Sequence, residues 1–148
     1  MSPITSSIEI ARPAEDVFAY VTDPSRFSEW QDDVVSARFE TAQPPGVGSR
    51  FRTIRRMGRN ERVMTQEITA YAPPTSWAAR GIDGPVRPRV ELTLQPLAHR
   101  SRVRLTVVMD FEAHGIGKVL VPLVIRRLAA RQAPRSYQRL KEQLERQP

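Results

Sequence analysis

The feature that most constrains this chain is its last thirty residues, because they demand a partner surface. From Ala130 onward, Ala133, Tyr137, Leu140 and Leu144 recur at steps of 3, 4, 3 and 4, the spacing of one face of an α-helix. Arg131, Arg135 and Arg139 fall on another side, and Lys141–Glu145 and Glu142–Arg146 have the i,i+4 spacing of helical ion pairs. The preceding run, Val119 to Ile125, is apolar nearly all round and must be covered. Pro122 and Pro134 are expected to bend this helix or mark a break, since proline removes a backbone donor and clashes with the preceding turn. A straight helix over the whole stretch would be about 45 Å long at 1.5 Å per residue.

The partner surface is written upstream as strands. Val103, Leu105, Val107, Met109 and Phe111 alternate with Arg102, Arg104, Thr106, Val108, Asp110 and Glu112, a period of two. Residues 4–10 are β-compatible, with Ile8 and Ile10 on one face. Arg12-Pro13-Ala14-Glu15-Asp16 reads as a helix start, with proline in the first turn and two carboxylates at the positive end of the helix dipole. Asp23-Pro24 repeats that signal for a second short helix carrying Phe27 and Trp30, with Asp23 as the cap. Further strands are expected at Val34–Glu40, Arg50–Met57, Arg62–Tyr71, Ser76–Arg80 and Arg89–Leu97. Turn residues separate them, among them Gly58-Arg59-Asn60 and Asp83-Gly84-Pro85. Short turns between sequential strands imply an antiparallel meander.

At 148 residues the chain is expected to form one domain, residues 1–148. It has no cysteine, which excludes disulfides, thiolate nucleophiles and zinc–thiolate sites. No charged leader precedes an apolar core at the start, and the longest apolar run falls short of the roughly 20 residues of a spanning helix. The expected location is cytoplasmic. The net charge of +7 rests on 23 basic residues, only two of them lysine, so an arginine bias of composition accounts for it as readily as a partner does.

The residues Pro13–Val21, then Asp23-Pro24, Phe27 and Trp30, resemble the opening of the SRPBCC or polyketide cyclase/dehydrase-like proteins. These belong to the START and birch-pollen-allergen superfamily. Gly46-Val47-Gly48 before a strand, Glu67–Pro73 running into Pro74, and Gly115–Leu123 leading into the last helix continue the likeness along nearly the whole chain. The resemblance implies an α+β helix-grip fold. A curved antiparallel sheet of about six to seven strands would surround a long C-terminal helix, with two short helices after the first strand. It also implies a cavity between sheet and helix for a hydrophobic or amphipathic small molecule such as a lipid, polyketide or quinone. Binding or carrying that ligand is the leading expectation, and a metal-free polyketide cyclase/dehydratase-type enzyme in the same cavity is the rival. No catalytic motif of the family carries over.

Within that frame, Trp30, Met64, Trp77, Arg80, Met109 and Tyr137 are the candidate ligand-binding residues. The tryptophans offer flat apolar surface and the methionines adaptable walls. An inward Arg80 would hold a carboxylate or polarise a carbonyl, and Tyr137 would orient a ligand by its hydroxyl, making these two the catalytic candidates. Glu91 is expected to face outward with Thr93. His99 at a hairpin tip and His114 at a strand–helix junction lack metal-ligand spacing, so neither a metal nor another cofactor is expected. Arg50–Arg62 carries six arginines against Glu61, the makings of a nucleic-acid surface. It has only Phe51 where stacking aromatics would be needed, and no specific nucleic acid is expected. Lys118–Arg127 suits transient contact with an anionic membrane. The oligomeric state is not written in the sequence.

Overall fold

The computed structural model describes residues 3–40, 44–84, 86–99, 101–113 and 117–146, with the backbone alone at 57, 86, 113 and 117–126. Seven strands form one antiparallel sheet: β1 (Ile4–Ile10), β2 (Val34–Phe39), β3 (Arg50–Met57), β4 (Asn60–Ala72), β5 (Ser76–Gly81), β6 (Val86–Pro96) and β7 (Val103–Ala113). Their order is β1-β7-β6-β5-β4-β3-β2, a meander from β2 to β7 whose far edge is closed by the N-terminal strand. Two short helices, α1 (Ala14–Val21) and α2 (Phe27–Trp30), link β1 to β2, and a long α3 (Gly117–Arg146) ends the described chain. The sheet curves around α3, which is the helix-grip arrangement.

Local chemistry accounts for the element boundaries. Pro13 stands at the N-cap of α1, and Glu15 and Asp16 sit in its first turn. Asp23 caps the turn Pro24–Arg26 that leads into α2, its carboxylate accepting from the Ser25 amide at 3.0 Å. The β3–β4 hairpin closes on Gly58, whose φ of +65° lies where residues with a Cβ are strained. The Met57–Asn60 pairing then brings Arg59 and Asn60 into a tighter hairpin than the turn residues alone predict.

The core lies between sheet and helix. The inward residues of β7, Val103, Leu105 and Val107, are all buried, as the period of two predicts, and Ile10, Ile68, Leu92 and Leu94 join them from neighbouring strands. From α3 come Tyr137, Leu140 and Leu144. Each fully buried leucine contributes about 1.5–3 kcal/mol relative to exposure. The inward face of α3 continues through half-buried Ala133 and Ala129, and Ala130 is exposed, a correction to the face expected from the sequence. Nor does the helix break at its prolines: it is continuous from Gly117 to Arg146. Pro134 and Ala130, whose carbonyl loses its helical partner, both lie on the exposed side, where water can replace the missing bond.

The C-terminal turns of α3 are pinned to the start of the chain. Arg12 donates to the Leu144 carbonyl at 2.9 Å, and Lys141 donates to the Glu9 carbonyl at 2.7 Å. Glu145 accepts from the Ala11 amide at 2.9 Å and pairs with Lys141 at 3.3 Å. Arg139 pairs with Asp32 beyond α2. These bonds fix one end of the gripping helix over β1 and α1.

Candidate functional site

At the other end the sheet and helix part, leaving a cavity of about 290 Å³. That is close to the lower bound of small-molecule sites, roughly 300–1,000 Å³. Its floor is a chain of aromatic rings. Tyr137 of α3 lies 6.1 Å from Trp30 of α2, Trp30 is 6.0 Å from Phe27, Phe27 is 5.8 Å from Phe51 of β3, and Phe51 is 6.0 Å from Trp77 of β5. Leu92, Val107, Met109 and Met64 supply aliphatic wall from β6, β7 and β4. Exposed residues on the lining mark the mouth: Gly58, Arg62 and Val63 at the β3–β4 turn, Asp83 and Gly84 beyond β5, and Leu128 and Gln132 on α3.

The cavity lining also carries polar groups, several of them donors without a partner among the described residues. The indole N–H groups of Trp30 and Trp77 are buried and have no hydrogen-bond partner. An unpaired buried donor costs about 1–3 kcal/mol. The Tyr137 hydroxyl also makes no hydrogen bond among the described residues. Burial pushes its pKa up to about 12, against a smaller lowering by Arg55, so it stays protonated and can donate at neutral pH. Gln66 accepts weakly from Thr53 at 3.4 Å, and its amide N–H₂ has no partner among the described residues. Arg55 faces the cavity with its charge matched by Asp33, Nη1 lying 3.2 and 3.0 Å from the two carboxylate oxygens.

Five of the six residues expected from the sequence line this cavity: Trp30, Met64, Trp77, Met109 and Tyr137. Arg80 does not. On β5 the buried positions are Trp77, Ala79 and Gly81, so strand alternation turns Arg80 to the outer face, where it is exposed. There it stands opposite Glu67 of β4 and Arg89 of β6, within a row of charges that includes the Arg50–Glu67 and Arg89–Glu112 pairs. Glu91 and Thr93 face outward as expected. His99 is exposed in its turn, and His114 lies outside the described residues. Among the described residues, no three His, Asp or Glu side chains gather as metal ligands.

Asp33, Arg55 and Gln66 belong to the site and are not singled out by the sequence. Two of them carry a signal: Phe51-Thr53-Arg55 and Met64-Gln66-Ile68 alternate in phase with buried neighbours, which places Arg55 and Gln66 inward. In the arginine-rich hairpin, Arg50, Arg52 and Arg55 are paired with Glu67, Glu40 and Asp33. Phe51 is 1% exposed and offers no ring to a base. The side chains of 117–126, on which the membrane expectation rests, lie outside the described residues, and Arg127 is exposed. No helix among the described residues is long and apolar enough to cross a membrane.

A family model described as polyketide cyclase / dehydrase and lipid transport matches residues 1–145. The chain belongs to this family. Among solved structures, a START superfamily protein from Mycobacterium smegmatis superposes with a TM-score of 0.80 at 16% identity, over 98% of both chains. The Zhui aromatase/cyclase from Streptomyces sp. R1128 gives 0.79 at 14% identity, over 97% of this chain and 93% of that one. A protein from Thermus thermophilus gives 0.76 at 15% identity, over 96% of each. At these identities the likeness establishes the shared helix-grip fold. No curated protein matches the sequence.

Proposed function

We propose that the protein binds a hydrophobic or amphipathic small molecule bearing hydrogen-bond acceptors, of the carbonyl or quinone kind, between sheet and helix. The observation that carries this reading is the ring-lined cavity between sheet and helix, with the unpartnered Tyr137 hydroxyl as a neutral donor on its lining. A purely hydrocarbon ligand would leave the Tyr137 hydroxyl without a partner, whereas a carbonyl oxygen between the aromatic walls would accept from it. Trp30, Trp77 and Tyr137 are then ligand-contacting residues, with Met64 and Met109 as adaptable wall. Family membership and the lipid transport named in the family's description support the reading.

The test is native mass spectrometry of freshly purified protein before and after organic extraction. A discrete added mass, lost on extraction and assigned to an apolar molecule with carbonyl or phenol oxygens, is the expected result. A bare protein whose tryptophan emission is unmoved by quinones and aryl ketones would sink the reading.

A second reading is catalytic, and Tyr137 favours it. Its protonated hydroxyl sits in the same cavity as the Arg55 guanidinium, so a ketone oxygen bound there would be polarised by a neutral donor with a cation nearby. One of the similar folds is an aromatase/cyclase. Recovery of a poly-ketone probe unchanged after incubation with the protein would favour the carrier, and a cyclised product that Tyr137→Phe fails to make would favour the enzyme.

A further inference from the structure

We propose that Arg62 is an anchor for an oxyanion, so that the ligand of this cavity is an amphiphile carrying its acid group at the mouth. This rests on the reading of the cavity as a small-molecule site and adds the charge and orientation of what it takes. Arg62 lies on the inner face of β4, two residues from Met64 and four from Gln66, which both line the cavity with it. In register it stands directly opposite Arg55 of β3. Two like charges facing each other across a strand pair are unfavourable unless a counter-charge lies between them. Asp33 supplies one for Arg55, through both of its oxygens. Arg62 has no ion pair with any carboxylate among the described residues.

The other charged groups on the lining do not answer that charge. They are Asp33, Arg55, Arg56 and Asp83, so that with Arg62 three arginines face two aspartates. The Asp83 carboxylate is engaged by the Thr65 amide at 3.0 Å, and Asp33 by Arg55. The cavity is therefore graded along its length. The buried part of its lining offers the neutral Tyr137 hydroxyl, and its mouth presents the Arg62 guanidinium, without a carboxylate partner among the described residues, beside exposed Val63 and Leu128. A guanidinium binds carboxylate, sulfonate and phosphate by the same forked donor geometry, so the chemistry recognised is an oxyanion joined to a compact apolar body.

Matched fluorescent probes test this directly. 1-Anilinonaphthalene-8-sulfonate and N-phenyl-1-naphthylamine share an aromatic body and differ in the sulfonate. Both report entry into the cavity by energy transfer from Trp30 and Trp77. The full-length protein is expected to bind the sulfonate about tenfold more tightly than the neutral probe, the range of a charge-assisted hydrogen bond. Arg62→Gln should erase that preference and leave the neutral probe's affinity in place. Arg59→Gln, which removes an equal charge from the hairpin tip outside the cavity lining, should leave both affinities in place. If the neutral probe binds and the sulfonate gains nothing, or if both variants weaken the sulfonate equally, the anchor is wrong and the cavity reading stands. If neither probe shows energy transfer, the cavity reading fails and the anchor with it.

Discussion

The two ends of the gripping helix solve opposite problems with the same residue spacing. At the C-terminal end, Leu140 and Leu144 are 0% and 1% exposed, and the turn they sit on is tied to Glu9, Ala11 and Arg12 by bonds between side chains and main-chain groups. Earlier in the same stripe, Tyr137 and then Ala133 and Ala129 face a void. Periodicity alone does not distinguish the two ends. The difference lies in what the sheet presents. Opposite the closed end it offers Ile10, Val103 and Leu105, close-packed and aliphatic. Opposite the open end it offers the large rings of Phe51 and Trp77, which border the cavity. One end holds the fold together, and the other keeps the sheet and helix from meeting.

The sharpest way to break this comparison is to truncate one side chain at each end. Leu144→Ala should lower the unfolding free energy by about 2–5 kcal/mol, because it removes a fully packed side chain and leaves a new hole. Met109→Ala on the cavity wall should cost less than half as much, since part of the methionine already borders empty space and has fewer contacts to lose. Urea midpoints of the two variants decide it. Equal losses would mean that the cavity closes around Met109 in solution and that the two ends pack alike.

How legible each end was follows from where the sequence had contrast. The alternation of Val103 to Phe111 against arginines, threonine and acids fixes β7, and the Pro13 and Asp23 start signals fix α1 and the turn before α2. The ring-lined floor was partly legible too, because Trp30, Trp77 and Tyr137 are large aromatics on apolar faces. β5 offers no such contrast. In Ser76-Trp77-Ala78-Ala79-Arg80 the alanines make both faces small, so an inward Arg80 is compatible with the pattern and only Trp77 marks the true phase. The Asp33–Arg55 pair joins residues 22 apart across β2 and β3, with a bulge between Val34 and Ser36 shifting the register. No local rule predicts that contact. Ala129 replaces Ala130 on the buried stripe because 3.6 residues per turn leaves either step, 4 or 3, open at an alanine.

A second substitution sharpens where the open end is rigid. Gly81 is buried at the end of β5, and a Cβ there would come within 2.8 Å of the Pro88 ring and 3.2 Å of the Arg87 backbone. The β5–β6 ladder stops at Arg80–Arg89, just before Pro88, which has no N–H to extend it. Gly81→Ala should therefore destabilise by about 1–3 kcal/mol, the range for overpacking. A thermal melt indistinguishable from that of the parent would mean that the β5–β6 edge of the cavity can yield, and that the void is less fixed than the closed end by backbone as well as by side chains.

The smallest expected effect tests the pin at the closed end. The Ala11 amide donates to Glu145 and holds its carboxyl below the ordinary glutamate range, with Lys141 adding to the lowering against a partial desolvation that opposes it. A lowered folded-state pKa means that the charged form is favoured by folding. Its contribution is fully present above the unfolded value of about 4.3 and is lost as the pH falls through the lower folded value. Glu145→Gln should accordingly lose that contribution at pH 7 and show a flatter acid limb, the two proteins converging in stability below about pH 4.3. Solvent screens so exposed a pair, and such pairs are worth only about 0.2–1 kcal/mol. Unfolding curves taken across the acid range and up to neutrality on both proteins would read it. An unchanged acid limb would leave Arg12 and Lys141, with their carbonyl acceptors, as the bonds that hold this end of α3, and would place the closure in the main chain rather than in the carboxylate.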